Sequence, residues 1–398
     1  MRSQGGVIAS GAMLGVLGGG QLGAMFVQAA RRLGYRVAVW DPDPDAPALK
    51  IADRSLTSPF TNSDSLQEFA NGVSAVTYEW ENIPVAVASA LEQVMPMRPS
   101  SRILGVLQNR LDQKSFLADR GFPLAPFQTV VGSDDLPAAS QAIGFPSVCK
   151  IATAGYDGKG QWRLAEPKDV PLLQETFRKH SQDNSRWVVE QFLPFEKEVS
   201  VLVVRGADGD RRIYPTVENV HEDAVLRVTR APAAIDPRAA ELAQSLATSA
   251  VEALEGIGVF CVEMFLMPDS RLFINEVAPR PHNSGHYTLD ACTVSQFEQQ
   301  VRVLCGLPLG EVRLLSPAVM VNLLGDDFTR AMTDEGLINL LRIPGAKPHV
   351  YGKRTVRPGR KMGHVTFVSE KTEEAWESAQ TIRRALSGAA QSGTQVNS

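Results

Sequence analysis

Apolar residues dominate 12–17, and a polar glycine turn, Gly18-Gly-Gly-Gln-Leu-Gly23, stops them. Leu22, Met25, Phe26, Ala29 and Leu33 then recur at helical spacing, and 35–40 is apolar enough for a second buried strand, ending on Asp41. Strand, glycine turn, helix, strand and acid predict a βαβ unit opening a doubly wound parallel sheet. A further strand spans 75–78, with Glu79-Trp-Glu-Asn82 at its carboxyl end, where open α/β sheets gather ligands. Ser100 or Ser101 caps a helix running to about Asp119, and Gly121-Phe-Pro-Leu-Ala-Pro126 ends the first domain.

The pattern then changes. Strands are predicted over 145–150, ending in Lys150, and over 187–190, leading into Gln191-Phe-Leu-Pro194. Residues 196–204 alternate acid and apolar before entering a strand, with 213–217 as its partner. An amphipathic helix over 236–254 delivers the chain to two strands, 259–266 and 271–277, joined by Met267-Pro-Asp-Ser270. A helix follows over 288–304. From Gly306 a small third domain of short strands begins, including 318–324, and a helix over 374–386 closes it.

Composition narrows the class. The 398 residues are 44% hydrophobic and 21% charged with a net charge of −4, as in a globular protein with a sizeable core. That balance offers no basic field to a nucleic acid, and no apolar run reaches membrane-spanning length. The apolar start over 7–17 has only Arg2 before it and reads as a first strand with a short leader, not a secretion signal. Cys149, Cys261, Cys292 and Cys305 lack CxxC spacing and read as reduced core residues, which predicts a cytoplasmic location.

The densest chemistry lies between 259 and 286. Glu263 centres one apolar strand, and Asn275 and Glu276 interrupt the next where a core strand would carry Val or Ile. A hairpin folded about Asp269 and Ser270 sets Glu263 opposite Glu276 on one face. Facing carboxylates repel, and a divalent cation removes the conflict, since Mg2+ is held by one or two carboxylates plus substrate phosphates. The plainer alternative is a solvated hairpin face with two ordinary acids. Alternation turns Asn275 away, although the bend at Pro279 can bring its amide round.

Other motifs leave alternatives open. Gly18, Gly20 and Gly23 satisfy G-x-G-x-x-G with Asp41 near a ribose-binding position, yet the same turn serves any fold that brings backbone or phosphate to a helix N-terminus. Glu79 and Glu81 are either substrate contacts or solvated loop acids. Ala154-Gly-Tyr-Asp-Gly-Lys-Gly-Gln161 is no Walker A loop, because Thr153 replaces its first glycine and no Ser or Thr follows Lys159. It reads as a glycine hairpin whose amides close over phosphates. The exit after Trp187-Val-Val-Glu190 can offer backbone groups to an adenine edge and an acid to ribose hydroxyls. Lys353, Arg354, Arg360 and Lys361 form either a phosphate-monoester site or a charged surface hairpin.

Together, Gly18 to Gly23, Thr77-Tyr-Glu-Trp-Glu-Asn82, 154–161, 275–286, Ser295-Gln-Phe-Glu298 and Gly359-Arg-Lys-Met-Gly-His364 resemble the ATP-grasp ligases. Within them the likeness is to the 5-(carboxyamino)imidazole ribonucleotide synthases, ATP-dependent carboxylating enzymes of purine synthesis, over nearly the whole chain. The resemblance implies an α/β ATP-grasp fold: a Rossmann-like domain over 1–120, an ATP-grasp domain with a glycine-rich lid over 121–305 and a small β-rich domain over 306–387, while the biased composition of 388–398 reads as a disordered tail. It implies ATP held by Arg110, Lys150, Gly155, Tyr156, Asp157, Gly158, Lys159, Gly160, Gln161, Glu190, Gln191, Phe192, Leu193, Glu198, His221, Asn275 and Glu276. Mg2+ would sit on Glu263 and Glu276.

The same resemblance places Arg280, His282, Asn283, Asp157 and Lys353 around bicarbonate, carboxyphosphate and aminoimidazole ribonucleotide, with His282 or Asp157 moving the amine proton. Gln21, Glu79, Lys353, Arg360 and Lys361 would contact substrate, in a homodimer. The family often carries Asp-Arg where this chain has Asn109-Arg110. Three rivals stand beside this reading: formate-dependent glycinamide ribonucleotide transformylation on the same fold, a nicotinamide oxidoreductase built on Gly18 to Gly23, and a non-catalytic nucleotide sensor.

Overall fold

The computed structural model describes residues 6–153, 155, 160–180 and 186–386. Tyr156, Asp157, Gly158, Lys159 and the tail expected to be disordered lie outside them. Four parallel strands form the first sheet in the order Arg54–Leu56, Arg36–Trp40, Met13–Leu17, Val73–Tyr78. Leu14, Val16, Val37, Val39, Ala75 and Val76 are all buried, as a parallel sheet covered on both faces requires. The helix Gln21–Arg32 starts from the glycine turn, as its spacing predicts.

The single helix expected after Ser100 is two. Ser100 caps Ser101–Leu107, and Asn109 caps Arg110–Ala118 by accepting from the Leu111 amide. Asn109 takes an extended conformation that no continuous helix tolerates, so the cap makes the break. The restart puts Arg110, Gln113 and Lys114 on one helical face. The expected 288–304 helix is likewise split, into Thr288–Ala291 and Gln296–Cys305, because Ser295 accepts from the Glu298 amide and caps the second piece. The strand expected over 213–217 resolves into Arg211–Ile213 and Val217–Glu222, which both pair with Lys197–Arg205.

Two further sheets frame the middle of the chain. A four-stranded antiparallel sheet runs Phe127–Val130, Trp187–Gln191, Ser147–Ile151, Gln161–Leu164. A nine-stranded sheet runs Leu272–Ala278, Gly258–Leu266, Lys197–Arg205, Val217–Glu222, Val225–Ala231, Ala318–Leu324, Lys361–Val368, Ala346–Val350, with Arg211–Ile213 paired to its third strand. The strands after Gly306 continue this sheet from Val225–Ala231, so the carboxy-terminal domain joins the middle of the chain edge to edge.

Alternation decides what the hairpin strands present. Val262, Met264, Ile274 and Val277 pack with Ala239, Ala243, Ala247 and Ala250 of the helix Pro237–Ala253, whose small side chains let helix and sheet approach closely. Burying each of Val262, Met264, Ile274 and Val277 contributes about 1.5–3 kcal/mol. The other face is left to Cys261, Glu263 and Glu276, and it is turned toward the smaller sheet.

Candidate active site

The turn of the hairpin closes with the Met267 amide donating to Arg271 and the Ser270 amide to Met267, with Ser270 in the left-handed region. Glu263 then stands directly across from Glu276, the register its sequence predicts. Between Glu263/Glu276 and Met264/Ile274 the pairing slips by one residue, so Asn275 and Glu276 both oppose Glu263. This β-bulge, not the bend at Pro279, brings the Asn275 amide to the site; its Oδ1 accepts from Lys150 Nζ at 3.4 Å.

Cations from elsewhere gather around the acids. Arg110 Nη1 donates to Glu276 Oε2 at 2.7 Å. One helical turn later Lys114, 2% exposed, lies 3.2 Å from Glu190 Oε2, and Lys150 reaches the same oxygen from the smaller sheet at 3.2 Å. Burial alone would raise the Glu190 pKa, but Lys150, Lys114 and Arg110 prevail and hold it at about 2. Glu190 is thus a buried counter-ion, and its second oxygen, Oε1, has no hydrogen-bond partner. Burial likewise opposes charge on Glu276, yet Arg110 and Lys150 lower its pKa. Glu263 differs: burial and the facing Glu276 push it up to about 7. That unrelieved repulsion, with an amide oxygen beside it, is the oxygen donor set a hard divalent cation takes.

Lys114 was missed because a lysine in a capped helix reads as a solvated residue; its i, i+4 spacing from Arg110 was the available signal. Gln113 on the same face accepts from the Val277 amide at 2.8 Å and donates to its carbonyl at 3.2 Å, pinning the strand next to Glu276. Gln296 treats His282 the same way, accepting from its amide and donating to its carbonyl, both at 2.8 Å. Nothing in either glutamine's local sequence announces this work.

The remaining expected residues divide. His282 Nε2 lies 3.0 Å from Glu263 Oε1, and Arg280 Nη2 lies 2.9 Å from Glu81 Oε1, tying the loop after Tyr78 to this site. His221 lies 2.9 Å from Glu198; burial opposes its charge, but that carboxylate prevails and raises its pKa. Asn283 exchanges hydrogen bonds with Asn322, at 3.2 and 2.7 Å. Gln191 and Phe192 spend their amides on the carbonyls of Pro126 and Pro146, so neither N–H is available to an adenine edge. Leu193 is buried, Gly155 and Gly160 flank the undescribed segment, and Gln161 opens a strand of the smaller sheet.

Lys353 Nζ donates to the Lys361 carbonyl at 2.8 Å. Lys361 carries its charge toward Glu263, His282 and His286, whereas Arg360 lines a recess of about 180 Å3 with Asp43, Asp45, Arg354, Thr355 and Arg357. The basic run is therefore divided between two surroundings, and Arg354 is paired to Asp45 at 2.8 Å. Asp290, His349 and His364 also cluster. His349 and His364 are stacked 4.4 Å apart at 9°, with His349 Nε2 on Asp290 and His364 Nδ1 on the Tyr351 hydroxyl, both at 2.9 Å.

The amino-terminal glycine turn is occupied by the chain itself. Glu79 Oε1 accepts from the Gly20 amide at 2.6 Å and Oε2 from Gly23 at 2.8 Å, while Asp41 accepts from Gly19 at 2.5 Å and Asp43 at 2.7 Å. A Cβ on Gly20 would lie 2.6 Å from Glu79 Oε1, and on Gly18, at φ +92°, 2.5 Å from Glu79 Cγ. The glycines admit a carboxylate where a dinucleotide would place its pyrophosphate. Glu79 is thereby engaged as an internal cap, and Gln21 opens the helix above it, half-buried.

Among the described residues no helix is long and apolar enough to cross a membrane, and all four cysteines are free and buried. Residues 12–108 match the ribonucleotide synthetase preATP-grasp domain, 115–297 the ATP-grasp domain, and 318–378 the phosphoribosylaminoimidazole carboxylase C-terminal domain. The N5-carboxyaminoimidazole ribonucleotide synthase of Bacillus subtilis strain 168 is 38% identical over 368 residues, 92% of this chain and 94% of that one. That of Brucella melitensis is 39% identical over 362 residues, covering 91% and 98%. Among solved structures, an ADP complex of N5-carboxyaminoimidazole ribonucleotide synthetase superposes with a TM-score of 0.90 at 37% identity, covering 96% of this chain and 99% of that one. The Aspergillus clavatus enzyme in complex with ADP and 5-aminoimidazole ribonucleotide gives 0.86 at 33% identity, covering 95% and 99%. An acid pair crossed by cations between two antiparallel sheets, on a chain this similar throughout, places it in the N5-carboxyaminoimidazole ribonucleotide synthase family of ATP-grasp ligases.

Proposed function

We propose that this chain carboxylates the exocyclic amine of 5-aminoimidazole ribonucleotide with bicarbonate at the expense of ATP, releasing ADP and phosphate. The observation that carries the reading is Glu263 held opposite Glu276 with Arg110, Lys114 and Lys150 converging from outside the hairpin. Bicarbonate is a poor electrophile, and phosphorylation to carboxyphosphate activates it. Glu263 and Glu276, with Asn275 beside them, would hold Mg2+, which neutralises charge on the transferring phosphoryl group when bound.

The chain's own groups position and stabilise. Lys150 and Lys114 supply point charges to phosphate oxygens, and their shared partner Glu190 holds both in place. Arg280, steadied by Glu81, offers a planar donor set to a small anion such as bicarbonate or carboxyphosphate. Lys361, with Lys353 bonded to its carbonyl, places positive charge for the ribonucleotide phosphate. No residue need form a covalent intermediate, so orientation and exclusion of water carry the catalysis. The internal occupation of Gly18 to Gly23 by Glu79 and Asp41 speaks against a nicotinamide reading.

The test is ADP release with each small molecule withheld in turn. Turnover requires ATP, bicarbonate and the ribonucleotide together. Full-rate ADP release with formate and glycinamide ribonucleotide instead would reassign the enzyme to transformylation, and binding of ATP without turnover would leave a sensor.

A further inference from the structure

A buried line of hydrogen bonds crosses the large sheet and ends on Glu263. Its polarity is set by the one donor in it that cannot rotate: the main-chain N–H of Ser284 donates to His282 Nδ1 at 3.3 Å. Nδ1 is therefore the unprotonated nitrogen, and the ring proton is on Nε2, 3.0 Å from Glu263 Oε1. The rest of the line agrees. Thr229 Oγ1 donates to Asn219 Oδ1 at 2.9 Å, and Asn219 Nδ2 donates to Ser200 Oγ at 2.9 Å. Ser200, its oxygen thus occupied, has its own proton free for Ser284 Oγ at 2.9 Å, and Ser284 in turn for His282 Nδ1 at 2.9 Å.

The four side chains behind His282 come from three adjacent strands and the loop after the hairpin. Asn219 is cross-strand partner to Thr229, and Ser200 to Glu263. Ser200, Asn219, Thr229 and Ser284 are no more than 5% exposed, so none is placed to meet a nucleotide or a small anion directly. Valine at such positions would pack as well at no desolvation cost, whereas a polar line in a sheet interior is tolerated only when every member is satisfied. Here Thr229, Asn219, Ser200 and Ser284 are each hydrogen-bonded to the next member, and the line runs out through the Nε2–H to Glu263.

We propose that Ser284, Ser200, Asn219 and Thr229 are positioning residues: with the ring proton set on Nε2 by the Ser284 main-chain N–H, their side chains hold the His282 ring so that Nε2–H keeps one oxygen of Glu263 and the other is presented to a divalent cation. This rests on the reading of Glu263 and Glu276 as the cation's ligands. It makes His282 a donor in the metal's surroundings rather than a base for the substrate amine. Partners of this kind behind metal ligands typically matter about 10- to 100-fold in metal affinity.

The test uses the full chain and Mn2+ as the probe, its binding followed by electron paramagnetic resonance in the absence of substrates. Ser284→Ala is expected to raise the Mn2+ dissociation constant about tenfold. Asn219→Ala, two links back, should raise it by a smaller factor, with both variants folded by circular dichroism. In 15N-histidine-labelled wild-type protein, with the His282 signal assigned from a His282→Asn variant, the proton is expected on Nε2. Should Ser284→Ala not fold, Asn219→Ala and the wild-type spectrum carry the test. Wild-type Mn2+ affinity in both variants, or a proton on Nδ1 of His282, overturns the positioning role. Glu276→Ala separates the two readings: unchanged Mn2+ affinity there overturns the metal site itself, whereas lost affinity there with none lost in Ser284→Ala overturns only the line behind His282.

Discussion

The glycine turn at Gly18 to Gly23 and the hairpin at Glu263 and Glu276 each bring two carboxylates to a ligand-shaped place, with opposite results. At the turn, Glu79 and Asp41 accept from the amides of Gly20, Gly23, Gly19 and Asp43, so anion and donors satisfy each other inside the chain. At the hairpin, two acids face one another, and burial together with the facing Glu276 raises the pKa of Glu263. The glycine turn spells a nucleotide site in sequence and is complete without a nucleotide. The hairpin spells no named nucleotide motif, only two acids set to face each other, and is incomplete. A binding site is better recognised by what its residues leave unresolved than by the motif they spell.

The largest effect that follows from this contrast is at the incomplete place. Glu276→Ala should lower turnover by roughly a thousandfold or more, since a lost cation ligand removes several kcal/mol of charge stabilisation and frees Arg110 from its partner. Circular dichroism should show a folded protein. Activity within tenfold of wild type would count against the metal role.

The complete place predicts a change in stability instead. Glu79→Gln keeps the shape but presents an NH2 to one of the two glycine amides, losing charge-assisted hydrogen bonds worth about 1.5–3 kcal/mol each at most. Because burial raises the Glu79 pKa against those bonds, the net loss should be nearer 2 kcal/mol, read from urea unfolding. The KM for every substrate should hold. A raised KM for the ribonucleotide at unchanged stability would restore Glu79 as a substrate contact.

These two regions also show what the sequence could reveal. The register of Glu263 against Glu276 was legible because the turn, two apolar strands and one acid in each left little freedom. The βαβ unit was legible from its period. The bulge at Asn275 was not, because alternation is the only rule a strand pattern offers and a one-residue slip leaves no mark in composition. Nor were Lys114, Gln113 and Gln296: each acts on a segment more than a dozen residues away, and helical spacing alone does not say which face is inward. The continuity of the large sheet past Gly306 was hidden for the same reason, since pairing between distant strands has no local signature.

A third test asks where the ribonucleotide phosphate goes if the glycine amides are taken. Lys353→Ala should raise the KM for the ribonucleotide about 10- to 100-fold, the range of one charge-assisted contact, and leave that for ATP nearly unchanged. Equal effects on both would move Lys353 to the nucleotide side and weaken the contrast between the two places.

The smallest effect is also the most direct probe of the unresolved pair. Glu263 has its pKa pushed up to about 7 by burial and by Glu276, whereas an unfolded glutamate titrates near 4.3. Between those values the native metal-free protein binds the extra proton, so its stability falls as pH rises from about 4.3 to about 7 and stays reduced above. Glu263→Gln cannot ionise, so it should stabilise the metal-free protein at pH 8, by about 1 kcal/mol after allowing for residual solvent screening, and have little effect at pH 4. Magnesium should raise the thermal midpoint of the wild type at pH 8 more than at pH 5.5, and should do little for the variant. If wild type and variant share one pH–stability curve and one response to magnesium, Glu263 is as settled in its surroundings as Glu79, and the asymmetry between the two places disappears.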